Sequence, residues 1–230
     1  MKLSPHDPQI RLEAHRNRGY YHVGLRQWDQ AAGEFARASE LQPDDMYLWQ
    51  FRAVAHLGAG DRDAYRRVCA GMLERFSKTQ DPVVAYQVVY TCVLTQDALP
   101  ELDQILPVAR VAAHWYPGSI RVLAAAHYRA GQYEKAVEHF QQAARVYRFR
   151  AWDWFFLAMA QHRLGRAEEA QRCLAKAIAW MGEADRQKLD DVGGTRPAWG
   201  DWHDPLIVPL LRRETEALVK EALENKQSGR

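Results

Sequence analysis

The sequence predicts an all-α chain: a superhelical stack of about five helical hairpins, finished by a C-terminal helix that caps the stack. Three observations predict it. Ala, Leu, Arg, Glu and Gln are plentiful, while the Val-Thr-Ile alternation of strands is almost missing. Two stretches superimpose on each other at a spacing of about 34 residues, a hairpin-sized period. A separate amphipathic run follows the last repeat, as a stack with one exposed end requires.

The superposition sets 117–150 over 151–184. Ile120 falls on Trp154, Leu123 on Leu157, Ala124 on Ala158 and Gly131 on Gly165. Downstream, Ala136 falls on Ala170, Phe140 on Leu174 and Ala143 on Ala177. Small residues recur where two helices must approach, and large ones where a gap must be filled. Gly131 and Gly165 fall in the turn between helices, where a positive φ would penalise any Cβ. In this spacing and choice of residues the chain resembles the tetratricopeptide repeat family. That resemblance implies a right-handed superhelix in which the first helices of successive hairpins line a concave groove.

The remaining repeats follow in order behind an extension over 1–11. In 12–45, Gly19 takes the small position of the first helix; Trp28, Ala31, Phe35 and Ala38 mark the second, and Pro43 closes it. Arg18 stands where the family places an aromatic or a leucine. Segment 46–79 carries Trp49, Ala53 and the turn Ala59-Gly60-Asp61, then a second helix through Tyr65, Val68, Met72, Leu73 and Phe76. Segment 80–116 is degenerate, with helices expected near Val84–Leu94 and Leu102–Trp115 and a long loop from Thr95 to Pro100. The pattern then stops: 185–203 holds Gly193, Gly194, Pro197, Trp199 and Trp202 and reads as a loop. Over 204–225, Asp204 and Pro205 suit a helix start, and Leu206, Ile207, Leu210, Leu211, Ala217 and Leu218 form an apolar stripe. Arg212, Arg213, Glu214 and Lys220 lie largely outside it; Trp199 and Trp202 are expected to anchor the loop, and Asn225–Arg230 to fray.

A narrower resemblance covers most of 45–220. Ala59-Gly60-Asp61-Arg62, Tyr65-Arg66-Arg67, Met72 to Phe76, Asp81-Pro82, Cys92-Val93-Leu94, Trp152–Leu164 and Leu210 to Glu214 are similar to the helical tail of large bacterial proteins of planctomycete type. Those proteins join serine/threonine kinase or WD40 domains to tetratricopeptide repeats. The resemblance implies a scaffold or a regulatory tail of a kinase-type signalling protein. The chain has no Gly-rich loop, H-R-D or D-F-G of its own, so phosphoryl transfer is not implied.

Composition narrows the functional classes. A net charge of +2 gives no footprint for nucleic acid. The apolar runs, such as Trp154 to Ala160, are far short of the about 20 residues that cross a bilayer, and Met1–Arg18 has no secretory apolar core. Cys69, Cys92 and Cys173 are isolated and read as small buried residues in a reducing compartment, so a cytoplasmic location is expected. No metal-ligand spacing links the nine histidines; His15 and His22 share a helix face without a motif, and no nucleophile elbow or Walker loop occurs. Neither catalysis nor a cofactor is expected.

The resemblance implies a peptide-binding groove lined by Arg16 and Tyr20 of the first hairpin, Tyr47 and Gln50 of the second, and Tyr86 and Tyr90 of the third. Arg121, Ala125, Tyr128 and Arg129 follow from the fourth, and Trp152, Phe155, Met159, His162 and Arg163 from the fifth. Tyr, Trp and Arg are enriched at binding hot spots, and this mixture suits a peptide or protein carrying acidic residues. Trp49 and Trp154, at the fourth position of their repeats, are expected to pack between helices instead. The family's clamp for chaperone C-termini is disfavoured: Arg16 matches its cation, but Tyr20 and Phe51 stand where it uses asparagines. The alternative role is self-association.

Overall fold

The computed structural model describes residues 7–190 and 204–228, with side chains over 7–183 and 206–219. The described residues are helical throughout, without strands, and no helix is long and apolar enough to cross a membrane. The chain forms two compact units, Met1–Val111 and Ala112–Arg230.

The first unit contains α1 (Pro8–Gly24), α2 (Trp28–Leu41), α3 (Met46–Ala59), α4 (Arg62–Phe76), α5 (Pro82–Cys92) and α6 (Leu106–Ala112), the last continuing into the unit boundary. Aspartates set most helix starts. Asp7, Asp45, Asp61 and Asp81 each accept a backbone N–H in the first turn of the helix that follows, satisfying donors the helix cannot pair itself. Gly19 and Gly58 let neighbouring helices close up: a Cβ on Gly19 would meet the Phe35 ring at 2.6 Å, and one on Gly58 the Trp28 ring at 2.5 Å. Trp49 packs edge-on against Phe76, and its indole N–H donates to the Pro43 carbonyl at 2.9 Å.

Arg18 is accommodated by charge. Glu34, buried on α2, accepts from the Arg18 guanidinium at 2.8 Å, pairs with His15 at 2.8 Å and takes Arg37 at 2.6 Å. Burial pushes the Glu34 carboxyl upward, but the hydrogen bonds from His15 and Arg18 outweigh it and hold the group below its ordinary value. The cation at the position where the family has an apolar residue thus ties α1 to α2.

One turn recurs four times. Arg26, Gly60, Gly131 and Gly165 all have positive φ, between 57° and 79°. Each donates its N–H to the carbonyl three residues back, and the next residue donates to the carbonyl five back, at 2.9–3.0 Å. This double closure satisfies the carbonyls that a helix end leaves bare. Side chains repeat the link across the same five residues: His22 with Gln27 at 2.7 Å, His127 with Gln132 at 2.9 Å, and Arg166 donating to Gln161 at 3.3 Å. His56 and Asp61 approach to 3.9 Å in the equivalent place. The sequence marks three of these turns by glycine; the first is made by Arg26.

The third hairpin departs most. Its second helix, expected over Leu102–Trp115, is a 3-10 turn at Leu102–Ile105 followed by α6, which stops at Ala112. No glycine-marked turn joins it to α5; the loop instead buries Val93, Leu94, Ala98 and Leu99. Tyr65 of α4, wholly buried, donates its hydroxyl to the Thr91 carbonyl at 2.7 Å and binds the end of α5 to the second hairpin.

The second unit contains α7 (Ile120–Arg129), α8 (Tyr133–Ala144), α9 (Ala151–Arg163), α10 (Ala167–Asp190) and α11 (Asp204–Ser228). α10 runs six residues past 184, where the sequence reading starts a loop: Asp185 to Asp190 hold neither glycine nor proline to stop it. The expected anchors Trp199 and Trp202 lie outside the described residues. α11 includes Pro209 and continues to Ser228, past the point where fraying is expected.

Candidate interaction site

In the second unit α9 is buried nearly all round. From Ala151 to Gln161 every residue except Trp154 is buried. A hairpin helix covered only by its own repeat and the preceding one keeps one face open. Here α7, α8 and α10 cover part of α9, and α11 packs on it as well, in closer association than with α10. α11 therefore does more than cover the end of the stack. It packs on α9, the first helix of the fifth hairpin, and reaches the end of α7, the first helix of the fourth, through Arg129.

An ion pair fixes that placement. Glu214, in the middle of α11, takes a two-pronged contact from the Arg129 guanidinium at the end of α7, with the second N–H···O at 2.9 Å. The Arg129 side chain is 1% exposed, and that of Glu214 25%. Arg129 also stacks over the rings of Tyr128 at 5.4 Å and Phe156 at 5.0 Å. Burial pushes the Tyr128 phenol upward; the arginines at 129 and 163 work against that shift, the second through a hydrogen bond. The two arginines that the sequence spaces one repeat apart thus flank a single tyrosine, and one of them already holds a carboxylate.

On α11 the buried residues are Ile207, Leu211, Thr215 and Val219, every fourth position, with Val208 beside them. Four-residue spacing puts them on one stripe of the helix. The Thr215 hydroxyl returns to its own helix, donating to the Leu211 carbonyl at 2.7 Å, so the stripe presents its methyl group without leaving a polar atom unsatisfied. Burying each of the four apolar side chains contributes about 1.5–3 kcal/mol, against about 1–3 kcal/mol for a charged hydrogen-bonded pair. The stripe supplies most of the affinity, and Glu214 sets the register.

Of the residues expected to line an open groove, Arg121, Tyr128, Arg129, Trp152, Phe155 and Met159 are buried in this unit; His162 is half-buried and Arg163 exposed. α10 and α8 pack on α9, α11 packs on it as well and pairs with Arg129, and Arg121 is drawn into a structural clasp. Its guanidinium donates to Asp153 at 3.0 Å and stacks over Tyr147 at 5.2 Å and Trp152 at 5.0 Å. Asp153, fully buried, also accepts the Arg150 N–H at 2.9 Å at the start of α9.

The first unit keeps its own set in a different state. Tyr47 is 43% exposed, and its ring stacks on Phe51 at 6.3 Å. Tyr20 meets Phe51 edge-on at 5.3 Å, so the two positions where the chaperone clamp uses asparagine are occupied by rings packed on each other. Arg16 is half-exposed and pairs with Glu13 on its own helix at 2.5 Å. Gln50 is buried and donates to Gln87 at 3.0 Å; Tyr86 and Tyr90 are buried and stack on each other at 6.2 Å. Tyr20, Tyr47 and Phe51 form an accessible aromatic ledge beside Arg16, with Tyr86 and Tyr90 drawn into the packing. Glu34, Asp153 and Glu214 are organising carboxylates to which sequence reading gave no site role, Glu214 being placed only outside the apolar stripe of its helix. Their only signal is an acid on an otherwise apolar or basic helix face.

Comparison with known proteins agrees with this architecture. Residues 154–180 match the family model described as tetratricopeptide repeat. No curated protein matches the chain. Among solved structures, TTC0263, a thermophilic tetratricopeptide protein of Thermus thermophilus, is similar at 19% identity and a TM-score of 0.51, covering 78% of this chain and 96% of that one. MamA of MSR-1 is similar at 18% identity and a TM-score of 0.49, covering 76% of this chain and 99% of that one. At 19% identity the likeness to TTC0263 is one of fold, an all-helical repeat of tetratricopeptide type.

Proposed function

We propose that this chain is a protein-interaction scaffold that receives a peptide or protein partner on the face formed by the first helices of its hairpins. The observation that carries the reading is α11 itself: an amphipathic helix lies on that face in the second unit, held by an apolar stripe and by Glu214 on Arg129. The fold supplies a suitable surface, and the chain provides an example of what such a surface holds.

In the first unit the receptive stretch is Arg16, Tyr20, Tyr47 and Phe51, while Gln50, Tyr86 and Tyr90 are buried. Rings of this kind present large, rigid apolar area at small entropic cost, and a half-exposed arginine favours a carboxylate. The partner is a polypeptide segment with apolar side chains for the ledge and an acidic residue for Arg16. Glu214 on Arg129 is the internal precedent for that acidic residue.

A photo-cross-linking amino acid at position 47, with position 66 on the exposed side of α4 as control, tests this. Cross-linking from 47 and not from 66 to one acidic-apolar segment, lost in Arg16→Glu, is the expected result. Equal yields at 47 and 66 would move the interface away from the ledge.

A further inference from the structure

We infer that the α11 seat in the second unit is a helix-binding site in its own right, and that α11 is its resident, displaceable ligand. The class of ligand is an amphipathic α-helix from another polypeptide that reproduces the α11 pattern: apolar or methyl-bearing residues at every fourth position, with a glutamate immediately before the third. In α11 these are Ile207, Leu211, Thr215 and Val219, with Glu214 as the acid. The inference deepens the reading of the first-helix face as the docking face, and it names the ligand for one part of it.

Three features carry it. First, the site discriminates by charge. The Arg129 guanidinium is 1% exposed, is flanked by the Tyr128 and Phe156 rings and makes a two-pronged contact with Glu214, which a helix without a carboxylate at that register cannot reproduce. Second, the site is built on α9, a first helix of the repeat, while the contact of α11 with α10 is the smaller one. Third, α11 stands further along the sequence from its neighbour than any other helix of its unit. α7 to α8 and α9 to α10 are joined by three-residue turns closed by the double hydrogen bond, which hold each pair to its own neighbour, whereas thirteen residues of sequence separate α10 from α11.

The same geometry predicts the order of competition. The tether gives α11 a high effective concentration over its own seat, so a free helix competes poorly while α11 retains its glutamate. Weakening α11 alone opens the seat to a ligand in trans. The site thus works as an occupied receptor, in which a partner gains access by outcompeting a covalently attached copy of its own motif.

The probe is a fluorescent peptide of residues 204–228, titrated by anisotropy against the full chain. Glu214→Arg in the chain places an arginine against Arg129 and releases α11, so this variant is expected to bind the unaltered peptide at least tenfold more tightly than wild type does. Arg129→Glu/Glu214→Arg restores a pair of opposite sign and is expected to bind as weakly as wild type. A peptide carrying Glu214→Arg is expected to fail on the Glu214→Arg chain. Equal binding of the peptide by wild type and Glu214→Arg, whether weak or tight, overturns the proposal.

Hydrogen exchange on the wild-type chain stands independently of whether the single variant folds. Amides of 206–219 are expected to exchange as a group, faster than those of α7 and α9. Exchange at the same rate as α7 and α9 would mean that the seat never opens, and overturns the proposal. A wild-type dimer in which α11 cross-links to the partner's seat would assign the site to a second copy instead, and overturns the choice of ligand source. Loss of the cross-link at position 47 with peptide binding retained would remove the first-unit ledge and leave this seat standing.

Discussion

Each unit builds a face of its own from the first helices of its hairpins, and the two faces are left in opposite states. In the first, Tyr47 is exposed on a ledge with Tyr20 and Phe51, and Arg16 is satisfied by a neighbour on its own helix. In the second, α11 covers the face, and Arg129 is satisfied by a residue 85 positions away. The contrast teaches that residue type does not decide whether a repeat surface is open. Tyr, Phe and Arg occur at both sites; what differs is whether a later helix carries a complementary stripe and charge.

The largest test of that contrast is truncation of an aromatic residue on each face. Phe155→Ala, at a fully buried site, is expected to destabilise the second unit by about 3–5 kcal/mol. Tyr47→Ala is expected to change stability by about 0.5–1 kcal/mol, since nearly half of the residue already meets water. Urea unfolding of the two variants checks this, and equal losses would erase the distinction between a filled and an open face.

Charge gives the next largest effect. Glu214→Ala leaves the Arg129 guanidinium buried without its carboxylate and is expected to cost about 2–3 kcal/mol, below the full value for a buried pair because Glu214 is partly solvated. Arg16→Ala removes a same-helix surface pair and is expected to cost no more than about 0.5 kcal/mol. A double-mutant cycle on Arg129 and Glu214 isolates the coupling, and a value near zero would show that α11 is held by its apolar stripe alone.

Smaller effects sharpen the comparison from inside the first unit. Arg26→Gly is expected to stabilise by about 1 kcal/mol, because a side chain at positive φ is strained and the equivalent turns use glycine. Gly60→Ala is expected to destabilise by a similar amount, and thermal melts of both variants read the difference. The smallest expected effect concerns acid. The Glu34 carboxyl is held below its ordinary value in the folded chain, so its contribution is complete above the unfolded pKa and is lost as pH falls through the folded one. Glu34→Gln is therefore expected to flatten the fall in stability below about pH 4.3, the unperturbed carboxylate value, leaving the second unit's acid response unchanged.

The hairpins were legible in the sequence because their signals are local. Gly131 over Gly165 and Ala124 over Ala158 report a turn and a close approach that any chain of this period must make. Arg26 was not legible as a turn residue, since nothing in an arginine announces a left-handed backbone; only its distance from Gly60 does. The third hairpin blurred for a related reason: no glycine stops α5, and the buried Val93 and Leu94 read as its last turn, while Ala98 and Leu99 fell within the expected loop. The apolar run on α11 declared that the helix would bury one face. The buried stripe runs through Ile207, Leu211, Thr215 and Val219 and leaves Ala217 exposed and Leu206, Leu210 and Leu218 half-buried. Amphipathicity also gives the stripe no address. Which helix receives it depends on a contact between Glu214 and Arg129, and pairings across so many residues leave no periodic trace.

The late position of α11 has a consequence during synthesis. Arg163, at the end of α9, is made 56 residues before Val219, so at about 5–20 residues per second the apolar surface around α9 waits roughly 3–11 s for the helix that covers it. Throughout that interval the nascent second unit presents an unfilled helix seat to whatever is near the ribosome. A chaperone, or a helix with the same spacing of apolar residues and the same glutamate, meets that seat before the chain's own helix does.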